Sequence, residues 1–138
     1  MEDPHNFGAI IRTCEAAGVD AIIIPKNRSV SVNETVMKTS VGALYNVSIC
    51  QVTNLNQTIK KLKDLGFWII GTDMDGVDYK SVDYPEKCAL VIGSEGFGMS
   101  RLVKESCDYV VRIPMNGKIN SLNASVAAGI MIYELIRK

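Results

Sequence analysis

The stretch "CALVIGSEGFGMSR", residues 88–101, decides the fold. Its first half, Ala89 to Gly93, is a short apolar run that reads as a buried strand. Glycines follow at 93, 96 and 98, and a short helix is expected over 99–106. The same alternation extends outward in both directions. Strands are expected at 21–25 ("AIIIP"), 47–52 ("VSICQV"), 67–72 ("FWIIGT") and 109–114 ("YVVRIP"). Between them lie helix patterns over 7–17, stopped by Gly18, over 34–40, and over 55–65, capped by Asn54 and ended by Gly66. Apolar strands joined by helices define an α/β chain with a mostly parallel sheet and helices on both faces, because parallel strands need crossovers.

At 138 residues with 47% apolar content, the chain has room for one domain with a real core. Fifteen basic residues balance fifteen acidic ones, so net charge announces no nucleic-acid or membrane partner. Cys14, Cys50, Cys88 and Cys107 show no close pairing and His5 is the single histidine, which argues against a metal site. The pattern fits reduced thiols in a cytoplasm, and no window reaches the roughly 18 apolar residues of a membrane span. The polar stretch 73–87, "DMDGVDYKSVDYPEK", reads as a solvated loop or as a functional one. The final helix, expected over 122–138, is apolar nearly all round. Such a helix is buried on all sides, either within its own sheet or against a second copy of the chain.

Three constellations carry the chemistry. The glycine loop has the order G-x-x-G-x-G, the reverse of the dinucleotide fingerprint, and it stands late in the chain with no acid about 20 residues on. Glu95 places negative charge where a pyrophosphate needs positive potential. The loop therefore suits a ligand that is not anionic, or no ligand. In "DPHNFGAIIRTCEAAG", 3–18, Asn6 is the expected cap of the first helix, and Arg12 reads as a partner of Glu15 or as a phosphate anchor. In "IPMNGKINSLNASVAAG", 113–129, Ser121, Asn123 and Ser125 cluster where the last helix begins, as caps or as a ligand rim.

Taken together, N-x-G-x-x-x-R, then G-x-E-G-x-G, then I-P-M and S-L-N-x-S closely resemble the SpoU, or TrmH, class of RNA 2′-O-methyltransferases in the SPOUT superfamily. The resemblance spans essentially the whole chain. "DPHNFGAIIRTCEAAGVDAIIIPK" and "VTNLNQTI" look most like the branch that methylates a guanosine ribose of bacterial 23S ribosomal RNA, with a tRNA guanosine as the alternative substrate.

The resemblance implies S-adenosylmethionine as cofactor, whose cationic sulfonium tolerates an acid in the glycine loop. It places the cofactor on the backbone at Gly93, Ile113 and Leu122, with Gly71 and Thr72 at the neighbouring strand end. Asn6, Arg12, Glu95, Ser121 and Asn123 match the family's functional polar positions. It also implies a deep C-terminal trefoil knot and a homodimer through the last helix. Lys26, Arg28, Arg101, Lys104, Arg112 and Lys118 are candidates for phosphate contacts, each also readable as solvated surface charge. Relatives in this branch carry an N-terminal RNA-binding domain and a strand ahead of Asp3, so residues 1–138 are expected to be the catalytic domain alone. Two other classes compete: a nicotinamide-dependent oxidoreductase and a non-catalytic RNA-binding module.

Overall fold

The computed structural model describes residues 4–25, 47–93, 99–117 and 123–137. The expected helix over 34–40 lies outside them. The chain divides into two compact units, residues 1–55 and 56–138.

In the first unit, α1 (Pro4–Ala17) is followed by β1 (Ala21–Pro25) and β2 (Ser48–Val52). The two strands pair in parallel, Ala21 opposite Ser48 through Pro25 opposite Val52. Phe7 and Ile11 of α1 are buried against Ile22, Ile24 and Ile49 of the strands. Proline begins α1 because the first helical residue has no hydrogen bond to lose. Asn6 is therefore inside the helix rather than its cap, and it is buried.

The second unit contains α2 (Leu55–Asp64) from its second residue on, β3 (Trp68–Asp78), a 3₁₀ turn (Tyr79–Ser81), β4 (Cys88–Val91), α3 (Arg101–Ser106), β5 (Tyr109–Arg112) and α4 (Ala124–Ile136). β3 is the middle strand of a parallel β4-β3-β5 sheet. Ile70, Val111 and Met131 form its buried centre, with Leu90, Tyr109, Ile113 and Leu135 packed around them. Trp68, at the start of β3, stacks on Tyr109 with ring centroids 6.0 Å apart.

Helices α1 and α2 end in the same way. Gly18 (φ 79°) and Gly66 (φ 95°) adopt the left-handed conformation that spares a Cβ clash. Val19 N–H then bonds Cys14 O at 2.9 Å, and Phe67 N–H bonds Leu62 O at 2.9 Å, each closing the last turn. Both glycine stops expected from the sequence are thus met.

The stretch 73–87 is not all loop, as β3 continues through Asp78. It leaves the ladder after Thr72 and returns at Val77, both opposite Val111. Residues 73–76 form an outward excursion, and Gly76 permits the return. A Cβ there would stand 2.6 Å from the Val110 carbonyl oxygen, and backbone cannot move aside as a side chain can.

The last helix departs from the reading in which its own sheet buries it on all sides. Ala124, Ala128, Met131 and Ile132 are buried, whereas Val126 and Tyr133 are 50% exposed and Ile136 42%. Val126 and Tyr133, seven residues apart, fall along one face opposite Ala124, Ala128 and Met131, and Ile136 borders that face one turn beyond Ile132. No helix among the described residues is long and apolar enough to cross a membrane.

Asp108 joins the start of β3 to the start of β5. Its backbone N–H donates to Ile69 O at 2.7 Å, and its Oδ2 accepts from Ile69 N–H at 2.7 Å. Lys63 of α2 stands 3.5 Å from Oδ1 and also donates to Ser106 O at 3.0 Å. Because Ile69 is fully buried, Asp108→Ala strands its N–H and is expected to cost about 1–3 kcal/mol in urea unfolding. Asp108→Asn keeps an acceptor there and is expected to cost less than half as much. Equal losses would refute the hydrogen-bond account.

Candidate functional site

The strand order places four of the five expected cofactor residues, Gly71, Thr72, Gly93 and Ile113, in one region. From β3 the chain passes to β4 on one side, then crosses to β5 on the other, so the order reverses about β3. Ligands of open parallel sheets bind at the carboxyl ends of strands where such a reversal occurs. Gly71 pairs with Val91, the last residue of β4, and Gly93 follows two residues later. Asp78 pairs with Arg112, the last residue of β5, and Ile113 follows directly. Gly93 and Ile113 therefore lie just past the carboxyl ends of β4 and β5, whereas Gly71 and Thr72, expected at a strand end, lie inside β3 as its last paired residues before the excursion, because β3 resumes at Val77 and runs to Asp78. Glu95, Ser121 and Leu122 lie outside the described residues.

Packing gives Gly71 a structural reason of its own. A Cβ at this position would meet Met99 Sδ at 2.5 Å and Cys107 Sγ at 2.7 Å. That side of the glycine is filled, which leaves its backbone for any ligand. Cys107 is held as a thiol by burial, with repulsion from Asp108 adding to the upward shift.

A cleft of about 250 Å³ opens beside Ile113, lined also by Asp78, Tyr79, Lys80, Pro114 and Asn116. Its lining is mixed, with Ile113 and Pro114 on one side and the polar Asp78, Tyr79, Lys80 and Asn116 around them. Asp78 is committed locally, since its Oδ1 accepts from Lys80 N–H at 2.9 Å. Tyr84 hydroxyl donates to Tyr79 O, fixing the turn that forms one wall.

Asn123 caps α4. Its Oδ1 accepts from Ser125 N–H at 2.9 Å and from Ser125 Oγ at 2.5 Å, so capping accounts for both side chains of this pair. In the first unit, Arg12 is exposed on α1. Two of the six basic residues considered for RNA are already matched with carboxylates: Arg101 with Glu105 at 3.0 Å, and Lys104 with Asp73 and Asp75. Arg112 is exposed with no ion pair among the described residues, while Lys26, Arg28 and Lys118 lie outside them.

The Lys104 cluster escaped the sequence reading. Lys104 Nζ donates to Asp75 Oδ1 and Oδ2 at 2.9 and 2.8 Å and stands 3.2 Å from Asp73 Oδ2. The hydrogen bonds with Lys104 lower the Asp75 carboxyl and raise the Lys104 ammonium from their ordinary values. The usable signal was the D-x-D spacing, which points two carboxylates to one side of an extended chain.

The family model described as the SpoU rRNA Methylase family matches residues 1–133, and the chain belongs to that family. A Staphylococcus saprophyticus protein assigned by name to the TrmH family of tRNA/rRNA methyltransferases is 55% identical over 139 residues, covering 100% of this chain and 56% of that protein. The chain thus spans little more than half the length of that relative. The A. aeolicus TrmH/SpoU tRNA modifying enzyme superposes with a TM-score of 0.89 at 35% identity, covering 99% of this chain and 70% of that one. The SpoU methyltransferase AviRb from Streptomyces viridochromogenes, solved in complex with the cofactor AdoMet, gives 0.88 at 30% identity, covering 98% and 56%. The mixed α/β fold with parallel strands is shared with these structures.

Burial pushes Tyr84 up to about 12 from 10.0, with Glu134, Asp78 and Tyr79 adding to the shift. A folded-state value above the unfolded one favours folding below pH 10 and loses that contribution as pH rises toward 12. Cys88 and Cys107, also raised by burial, start the decline near pH 9. Urea unfolding of the wild type is expected to weaken over this range. Tyr84→Phe should flatten the part above pH 10, and an unchanged slope would count against the assignment.

Proposed function

We propose that the chain transfers a methyl group from S-adenosylmethionine to the ribose 2′-hydroxyl of a guanosine in 23S ribosomal RNA. The observation that carries the reading is that Gly93 and Ile113 follow the carboxyl ends of β4 and β5 on either side of Gly71 and Thr72, the last β3 residues before its excursion, where the strand order reverses. The AdoMet complex of AviRb and the motif set around Arg12, Glu95 and Asn123 support it. S-adenosylmethionine supplies a methyl group on a sulfonium, a cation that an acid in the glycine loop complements. The backbone at Gly71, Gly93, Ile113 and Leu122 would hold it, beside Thr72.

The chain's own task is to make a weakly nucleophilic hydroxyl react near neutral pH. A guanidinium has no acceptor site, so Arg12 does not serve as the base. Its role in this reading is to anchor the adjacent phosphate and stabilise negative charge developing on the 2′-oxygen. The proton passes to a phosphate oxygen, to water or to Glu95. Asn6, Ser121 and Asn123 complete the polar set. The knot and the cytoplasmic setting belong to the same proposal, as does a homodimer. In it, the exposed face of Val126, Tyr133 and Ile136 on α4 meets a second copy. A tRNA guanosine is the second substrate reading, supported by likeness to the A. aeolicus tRNA modifying enzyme at 35% identity.

Calorimetry with S-adenosylmethionine and its demethylated product tests the cofactor, with NADH as the competing ligand. Binding of neither methionine derivative would end the methyltransferase reading, and binding without turnover on any RNA would favour a non-catalytic module. Mapping 2′-O-methylation on ribosomal RNA and tRNA separates the substrates. Arg12→Ala is expected to lower kcat by on the order of 100-fold, the loss typical of a removed oxyanion donor. Arg12→Lys is expected to recover most of it, because charge is the main contribution. No recovery would assign the effect to the two-point fork.

A further inference from the structure

Lys104 stands between two segments that the proposed reaction needs held together. The excursion at 73–76 begins directly after Thr72, and α3 begins directly after Met99 and Ser100, the exit of the glycine-rich stretch. One ammonium joins them, bound to both Asp75 oxygens at 2.9 and 2.8 Å and 3.2 Å from Asp73. Two carboxylates on one lysine leave an excess negative charge, so removing the ammonium leaves two like charges close together in the excursion of β3. A second, apolar contact lies alongside, where Met99 and Cys107 fill the space over Gly71. Thr72 is therefore flanked by an ionic tie on the excursion side and a sulfur contact on the strand side.

We propose that Lys104 is a positioning residue for S-adenosylmethionine, acting through Asp73 and Asp75 to hold the Gly71–Thr72 segment of β3, where the excursion begins, against Met99 and Ser100 at the start of α3. This rests on the methyltransferase reading. Lys104 touches neither cofactor nor reacting atoms in this role, so its effect appears in cofactor affinity before it appears in fold stability. It also explains why Lys104 is poorly available as a phosphate contact: its charge is spent on the excursion. Lys104 is only 34% exposed in its side chain. All three ions keep part of their hydration, so the expected effect on affinity is the modest one of exposed pairs rather than that of buried ones.

The test is calorimetry of S-adenosylhomocysteine with the full chain, alongside thermal melts. Lys104→Met is expected to raise Kd about fivefold, the upper range for an exposed ion pair, with the melting temperature within a few degrees of wild type. Lys104→Arg should restore binding. Asp73→Asn with Asp75→Asn in the Lys104→Met background should restore part of it by removing the repulsion, and this variant serves equally if Lys104→Met alone folds poorly. Raising salt should weaken wild-type binding toward the Lys104→Met value. Wild-type affinity in Lys104→Met would overturn the proposal, as would a loss confined to RNA binding, which would make Lys104 a phosphate contact. Failure of the wild type itself to bind would instead sink the methyltransferase reading on which this one stands.

Discussion

The close approach of Gly76 to the backbone of Val110 and Val111 is the constraint on which the second unit depends. Only a residue without a Cβ lets β3 rejoin β5 at Val77 after its excursion, because backbone atoms lie 2.6–2.7 Å from where that carbon would be. The return carries β3 on to Asp78 opposite Arg112 and so brings the turn at Tyr79–Ser81 beside Ile113. Without it, the strand would end at Thr72 and the cleft would lose Asp78, Tyr79 and Lys80 from its lining. The excursion itself presents Asp73 and Asp75 to Lys104. One glycine thus links sheet register, cleft and ionic tie.

Local chemistry made much of this legible in the sequence. Gly18 and Gly66 were readable as stops because each follows a helical pattern and supplies the left-handed turn itself. The runs at 21–25, 89–93 and 109–114 were readable because apolar and β-branched residues follow one another there without a helical period, and 47–52 was readable although Ser48, Cys50 and Gln51 of β2 are exposed. The extension of β3 was not, since "DMDGVD" has the composition of a loop and its strand character comes from pairing with residues more than thirty positions away. Asn6 was misplaced for a related reason: it is a good capping type, but Pro4 fixes a backbone angle suited to the first turn and moves the start earlier.

The candidate site divides along the same line. Gly71, Gly93 and Ile113 were named through motif resemblance, and the strand register brings them into one region. Asn123 sits at the start of α4, where its side chain already has a capping partner in Ser125, so any ligand contact it makes competes with or adds to that bond. Lys104 was grouped with candidate RNA contacts because a lone sequence cannot show that a lysine on one element meets two carboxylates on another, 29 and 31 residues before it. Charge type was legible; charge partner required the fold.

The stacking of Trp68 on Tyr109 has a practical consequence. The chain contains one tryptophan, and it lies in the second unit at the start of the central strand, so intrinsic fluorescence excited in the indole band reports that unit alone. The first unit offers a complementary handle in Cys50, an exposed thiol on β2, whereas Cys14 there is buried and pushed up to about 11, which slows its alkylation. An environment-sensitive label on Cys50 read beside the indole signal follows the two units separately. Coincident transitions would mark them as one cooperative body, and separated ones as two.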